Sequence, residues 1–211
     1  MKNVFVINHP LVQHHLVSLR DRRIHSGGFR RMVQRLSILL TYEAAKDLKT
    51  QATRVRTPLG TANGKTLKQR IGLIPILRAG LGMVDPVLNL ISGAEVWHLG
   101  FYRDEKTLRP VEYYKKLPKR DAVDVALILD PMLATGGSAI AAIEAMKRWG
   151  VKRIKLLCMI AAPEGLKKVT QRYPDVQIYV CAVDKKLNAN GYILPGLGDA
   201  GDRIFNAQAA G

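Results

Sequence analysis

From residue 71 onward, short runs that are apolar at nearly every position alternate with longer helix-forming stretches. IGLIPIL (71–77), VALILD (125–130), IKLLCMIAA (154–162) and VQIYVCAVD (176–184) are the continuous runs, and EVWHLGFY (95–102) reads as a further strand. The intervening segments MVDPVLNLI, SAIAAIEAMKRWG and PEGLKKVTQRY read as helices. Strands apolar on both faces, alternating with helices, predict an α/β fold with a parallel sheet covered on both sides. In such a sheet the ligand sits at the carboxyl ends of the strands. Before residue 71 the pattern differs. Ser26 is placed to cap a long amphipathic helix running through LSILLTYEAAKDL to about Leu48. Residues 53–70 alternate Thr, Arg and Val around Asn63-Gly64, a strong hairpin signal. Between Phe101 and Leu117 the polar turn RDEKTLRP and the β-forming VEYYKKL predict a protruding two-stranded flap, of the kind that closes over a reaction.

With 211 residues and 47% hydrophobic content the chain can fill one core, and it shows no repeat or linker to divide it. No apolar run approaches the ~18 residues of a membrane-spanning helix, and the N-terminus lacks a signal-peptide pattern. Cys158 and Cys181 each stand alone inside an apolar run, without metal-ligand spacing, and read as free thiols of a reducing compartment. The expectation is a soluble, cytoplasmic protein. Charge changes the picture more. The net charge is +16 and the pI about 10.1. Residues 1–70 carry 14 Lys/Arg against 3 Asp/Glu, with Arg20, Arg22, Arg23, Arg30, Arg31 and Arg35 clustered in and around a predicted helix. This is either a solvated basic face or a surface for a polyanion or nucleotide effector, so nucleic acid stays in view as an alternative partner.

The most informative stretch for chemistry is VALILDPMLATGGSA, residues 125–139. Asp130 ends a buried strand, and a short loop runs through Pro131, Met132, Leu133, Ala134, Thr135, Gly136, Gly137 and Ser138 into a helix. Two adjacent glycines permit positive φ and close approach by an anion. The helix start offers unpaired N–H groups and the positive end of its dipole. Asp130 is placed to accept hydrogen bonds from ribose hydroxyls. The combination indicates a phosphorylated sugar. No Gly-Lys-Ser/Thr follows, which argues against a P-loop ATPase, and GLG at 80–82 fails the dinucleotide spacing.

DPMLATGGS (130–138) resembles the 5-phosphoribosyl-1-diphosphate (PRPP) signature of the uracil phosphoribosyltransferase family. LLTYEA (39–44), PILRAGLGM (75–83), Tyr102-Arg103, AAPEG (161–165) and GYILPGLGDAGDRIF (191–205) resemble it in the same order, so the likeness covers nearly the whole chain. It implies the type I phosphoribosyltransferase fold as a single domain, with a core over about 70–185, a β-hairpin flap over about 101–117 and a base-binding hood over about 186–205 completed by N-terminal elements. It also implies transfer of uracil onto PRPP to give UMP and diphosphate.

Arg78 follows a buried strand and offers a planar fork for phosphate oxygens. By the resemblance Arg78 and Arg103 neutralise the diphosphate, Asp130 and residues 131–138 bind PRPP, and Asp199 both positions PRPP and acts on N1 of the base. The loop 191–203 has four glycines and one proline, and its backbone groups suit a small planar base. The resemblance puts uracil against Ile193, Gly198, Asp199 and Ala200. Uracil presents acceptor, donor and acceptor along one edge, whereas cytosine swaps one acceptor for a donor and leaves a buried N–H unpaired, a mismatch that discriminates by about 10⁴-fold. The chemistry implied is departure of diphosphate from an oxocarbenium-like ribose as N1 attacks, with Arg78, Arg103 and Mg2+ carrying the positive charge and the flap excluding water. Many type I relatives place two adjacent acids where this chain has Asp130-Pro131, so Mg2+ is expected to be carried mainly by PRPP, with no residue assigned as a metal ligand. His9, His14, His15, His25 and His98 receive no catalytic role. Phe205 is followed by Asn206-Ala207-Gln208 where relatives commonly have Gly-Thr. The family forms homo-oligomers and some members respond to GTP, which makes the basic N-terminal third a candidate effector or assembly surface. The rival reading is an RNA-binding attenuation regulator of the same fold.

Overall fold

The computed structural model describes residues 1–103, 110–119 and 121–207. β1 (Val4–Val6), α1 (Pro10–Arg20) and α2 (Ser26–Ala44) precede a ribbon formed by β2 (Thr50–Thr57) and β3 (Gly60–Leu67). Then come β4 (Ile71–Leu77), a 3-10 turn (Ala79–Met83), α3 (Val84–Leu90), β5 (Glu95–Val96), β6 (Leu99–Arg103) and β7 (Pro110–Lys115). They are followed by β8 (Val125–Leu129), β9 (Met132–Leu133), α4 (Gly137–Trp149), β10 (Arg153–Ala161), α5 (Pro163–Arg172) and β11 (Gln177–Val183). The short pair β12 (Lys186–Leu187) and β13 (Ile193–Leu194) and the helix α6 (Ala200–Phe205) complete the order.

The main sheet runs β1-β11-β10-β8-β4-β6-β7. Its pairings are parallel until β6 meets β7, which is antiparallel and forms the expected flap base. The continuous apolar runs are explained by period-two alternation between two cores. Leu127 and Leu129 of β8, Leu157 and Met159 of β10, and Tyr179 and Cys181 of β11 pack with Leu19, Phe29, Leu36 and Leu40 of α1 and α2. Their neighbours Ala126, Ile128, Leu156, Cys158, Ile178 and Val180 face the other way, against Ile143, Met146, Leu166 and Val169 of α4 and α5. Burying a Leu or Ile contributes about 1.5–3 kcal/mol, and all five residues of β8 are buried. Both cysteines are free and buried, and burial pushes the Cys181 thiol up to about 12.

Three local expectations change. The helix α2 starts at Ser26 but is capped by His25, whose Nδ1 accepts from Gly28 N at 3.3 Å. It stops at Ala44 rather than near Leu48, where Lys155 Nζ donates to Ala44 O and the Asp47 carboxylate pairs with Lys155 and Arg153 of β10. The ribbon turns at Pro58-Leu59, with Thr57 Oγ1 accepting from Leu59 N at 3.3 Å. Asn63-Gly64 lies inside β3 opposite Arg54 and Thr53, and Asn63 Oδ1 accepts from Arg54 Nε at 3.2 Å. A proline that fixes φ at a turn outweighs an Asn-Gly that side chains across the ribbon can pin in a strand. Finally, residues 95–102 form two strand pieces rather than one, and Val4–Val6 adds an edge strand that the apolar pattern does not announce.

Candidate active site

The carboxyl ends of β4 and β8 open onto a cavity of about 310 Å3. Arg78, Asp130, Met132, Ala134, Ser138 and Asp199 line it, together with Phe101 and Tyr192. A second, smaller hollow of about 40 Å3 is walled by Asp130 and residues 132–139. Six of the residues singled out in the sequence therefore converge on one space, and Leu133, Thr135, Gly136 and Gly137 on its annex.

The phosphate-type loop is built almost wholly from backbone. Asp130 N donates to Leu157 O at 3.2 Å, and Asp130 Oδ1 accepts from Met132 N at 3.3 Å. Pro131 O accepts from Met159 N and Ile160 N, and Leu133 O from Ala162 N at 2.9 Å, so the loop's first half stays stitched to β10. The chain then leaves the sheet and turns at Gly136, whose φ of +79° suits glycine. From there α4 begins with no side-chain cap and no acid in its first turn. Its first N–H groups are thereby left pointing at the annex, an arrangement that suits an anion. AAPEG has a packing role here: a Cβ on Gly165 would lie 2.2 Å from Ala134 O, so only glycine lets α5 support the loop from below.

Arg78 sits between β4 and the 3-10 turn, after a cis Leu77–Arg78 peptide, and its Nη2 donates to Asp202 Oδ1 at 2.7 Å. One nitrogen of the fork is used this way, and Arg78 still lines the cavity. Asp199 caps α6, its Oδ1 accepting from Asp202 N at 2.9 Å. Arg103 closes β6 opposite Pro110. Its side chain lies outside the described residues, as do the flap positions 104–109, Lys106 and Arg109 among them.

Not every candidate reaches the cavity wall. Pro131 is turned into the β10 stitching, Ile193 (4% exposed) and Ala200 (3%) belong to the core, and Gly198 borders a separate basic hollow behind the loop. That hollow is lined by Arg20, Arg22, Pro195, Gly196, Leu197, Gly198 and Arg203. Asp202, Tyr192, Asp184, Arg20 and Arg203 were not singled out as site residues in the sequence. For Asp202 the available signal was its place in GYILPGLGDAGDR. Among the described residues no three of His, Cys, Asp and Glu converge to hold a metal ion. The side chains of His9 and His25 cap helices. No helix among the described residues is long and apolar enough to cross a membrane.

The family model for uracil phosphoribosyltransferase matches residues 6–207. The uracil phosphoribosyltransferase of Roseiflexus sp. (strain RS-1) is 56% identical over 205 residues, 97% of this chain and 99% of that protein. The protein of that name from Listeria monocytogenes serotype 4b is 51% identical over 209 residues, 99% of this chain and 100% of its own. Among solved structures, the AQ2163 protein from Aquifex aeolicus superposes with a TM-score of 0.92 at 37% identity, covering 98% of this chain and 99% of that one. A hypoxanthine-guanine phosphoribosyltransferase from Bacillus anthracis shares the fold alone, with a TM-score of 0.50 at 10% identity over 75% of this chain and 80% of that one.

Proposed function

The chain belongs to the uracil phosphoribosyltransferase family, and on that premise we propose how its residues divide the labour of the reaction. The enzyme is a pentosyltransferase that joins uracil to PRPP. The bond from C1′ to the diphosphate oxygen breaks, a bond from C1′ to N1 of uracil forms, and the products are UMP, diphosphate and the proton that leaves N1. The observation that carries the assignment of roles is the convergence of Arg78, Asp130, Ser138 and Asp199 on one cavity at the sheet's carboxyl edge.

The 5′-phosphate of PRPP occupies the annex at the start of α4, on the N–H groups of residues 136–139. Asp130 accepts from the ribose hydroxyls. Arg78, with Arg103 brought in by the flap, neutralises the departing diphosphate, the charge that most needs stabilising in the transition state. Uracil lies against the 191–201 loop where Gly191, Tyr192, Asp199 and Gly201 line the cavity, with Asp199 toward N1 and Ile193, Gly198 and Ala200 shaping the loop behind them. Phosphoribosyltransferases generally use PRPP with Mg2+. The ion is expected to enter on the diphosphate and with water, as is usual for Mg2+, and no step here depends on a protein-held metal. Flap closure excludes water that would hydrolyse PRPP.

The division into core, flap and hood follows from the same reading. Exposed Leu11, Val17, Ile38 and Tyr42 on α1 and α2 support a homo-oligomer. The exposed basic N-terminal region supports a GTP effector, and the buried free thiols support a cytoplasmic setting. The rival RNA-binding regulator gains nothing from the relatives, which carry the enzyme's name. Arg78→Ala, Asp130→Asn and Asp199→Ala are each expected to cost about 10²–10³-fold in kcat/KM with the fold retained, read by steady-state UMP formation and circular dichroism. Full activity in all three would remove the assignment.

A further inference from the structure

The loop assigned to uracil is hung from groups far away in the sequence. Arg20, at the end of α1, places Nη2 on Asp184 Oδ1 at 2.6 Å and Nη1 on Asp184 Oδ2 at 2.8 Å. The same Nη1 donates to Gly196 O at 2.8 Å, while Gly196 N donates to Asp184 Oδ2 at 2.9 Å. Both backbone groups of Gly196 are thus tied to one ion pair, whose carboxylate side chain is only 5% exposed. Gly196 has φ +63°, and a Cβ there would lie 2.1 Å from Ile193 O. The next residue is held as well: Arg203 Nη1 donates to Leu197 O at 2.6 Å and to Leu19 O at 3.0 Å, and its guanidinium lies 4.4 Å over the Phe29 ring. Between these anchors and Asp199 lies Gly198, at φ +80°.

We propose that Arg20 and Asp184 are positioning residues for the nucleobase: the pair fixes the peptide planes of the 193–200 loop and so sets affinity and selectivity for the base without touching PRPP. The inference rests on the reading of that loop as the uracil contact. Its logic is geometric. A base recognised by backbone N–H and C=O groups is discriminated only as sharply as those groups are held, and displacement by an ångström costs far more than it would for a flexible side-chain contact. Glycines at 196 and 198 would leave the loop free to reorient, and the buried pair removes that freedom. The side-chain hydrogen bonds of Arg20 and Asp184 run to each other and to Gly196, while Arg78 is bonded to Asp202, so among the described residues the two substrates' supports are separate.

The test uses the full-length enzyme and separate KM values for uracil and PRPP. Arg20→Lys keeps the charge but loses the fork. The double variant Arg20→Met/Asp184→Leu removes both charges and leaves neither one buried alone, the case in which stability is often retained. Both are expected to raise KM for uracil about 10- to 100-fold, to weaken rejection of cytosine, and to leave KM for PRPP within about twofold. Lys152→Ala, at an exposed turn before β10, serves as the control and should change nothing. Unchanged uracil KM and cytosine rejection in folded Arg20→Lys, or equal loss toward both substrates, would overturn the proposal. Should the double variant fail to fold, Arg20→Lys alone decides. If the wild-type enzyme turned over a different base, the uracil reading would fall, while the positioning role would be judged by the KM for that base.

Discussion

The two loops that meet at the cavity are held in opposite ways. The 130–138 loop is fixed by its own neighbours: backbone hydrogen bonds to β10, a glycine turn and the start of α4. The 191–199 loop is fixed by side chains from three places: Arg20 of α1, 176 residues from Gly196, Asp184 after β11 and Arg203 of α6. In the proposed assignment the first presents a row of N–H groups to phosphate, which a strand, a tight turn and a helix start supply without help. In the same proposal the second presents single N–H and C=O groups to one edge of a small base, and its glycines give no rigidity of their own. If that proposal holds, local geometry suffices for the anion, whereas selective recognition of the base needs tertiary support.

That contrast can be broken at either end. The largest effect on stability is expected from Arg20→Ala, which strands the buried Asp184 carboxylate. A loss of about 3–5 kcal/mol, measured by denaturant unfolding, would match a loop hung on this pair, and a change below ~1 kcal/mol would show that the loop holds itself. A smaller and more selective effect is expected from Gly165→Ala. Its Cβ would meet Ala134 O at 2.2 Å, forcing the phosphate loop to shift. The expected outcome is about a 10²-fold fall in kcat/KM for PRPP with uracil KM little changed. Equal damage to both substrates would show that the two loops do not act separately.

The same contrast explains what could be read from the sequence. Asp130 to Ser138 was legible because strand, acid, glycines and helix are contiguous, and each has one physical meaning. The parallel sheet was legible because both faces of β4, β8 and β10 are buried, which leaves few polar positions in the runs. The antiparallel partner β7 was legible from the β-formers of VEYYKKL, which follow a polar stretch. The Asp184–Arg20 pair was not, since a lone acid after an apolar run and one arginine in a basic cluster carry no sign of each other. Arg30 was hidden in the same way: though exposed, it donates to Ile204 O at 2.8 Å, so part of the basic cluster also ties the C-terminal helix down. Asn63-Gly64 misled because the competing Thr57-Pro58-Leu59-Gly60 turn lies only a few residues earlier. Asp202 escaped because it acts through Arg78, which only the fold brings beside it.

The most direct measurement is PRPP-dependent conversion of labelled uracil to UMP by the purified protein with Mg2+, with cytosine, hypoxanthine and orotate offered in competition. The account predicts UMP from uracil, stoichiometric diphosphate, and no product from the other three bases. Comparable turnover of any of them, or none of uracil, would contradict it.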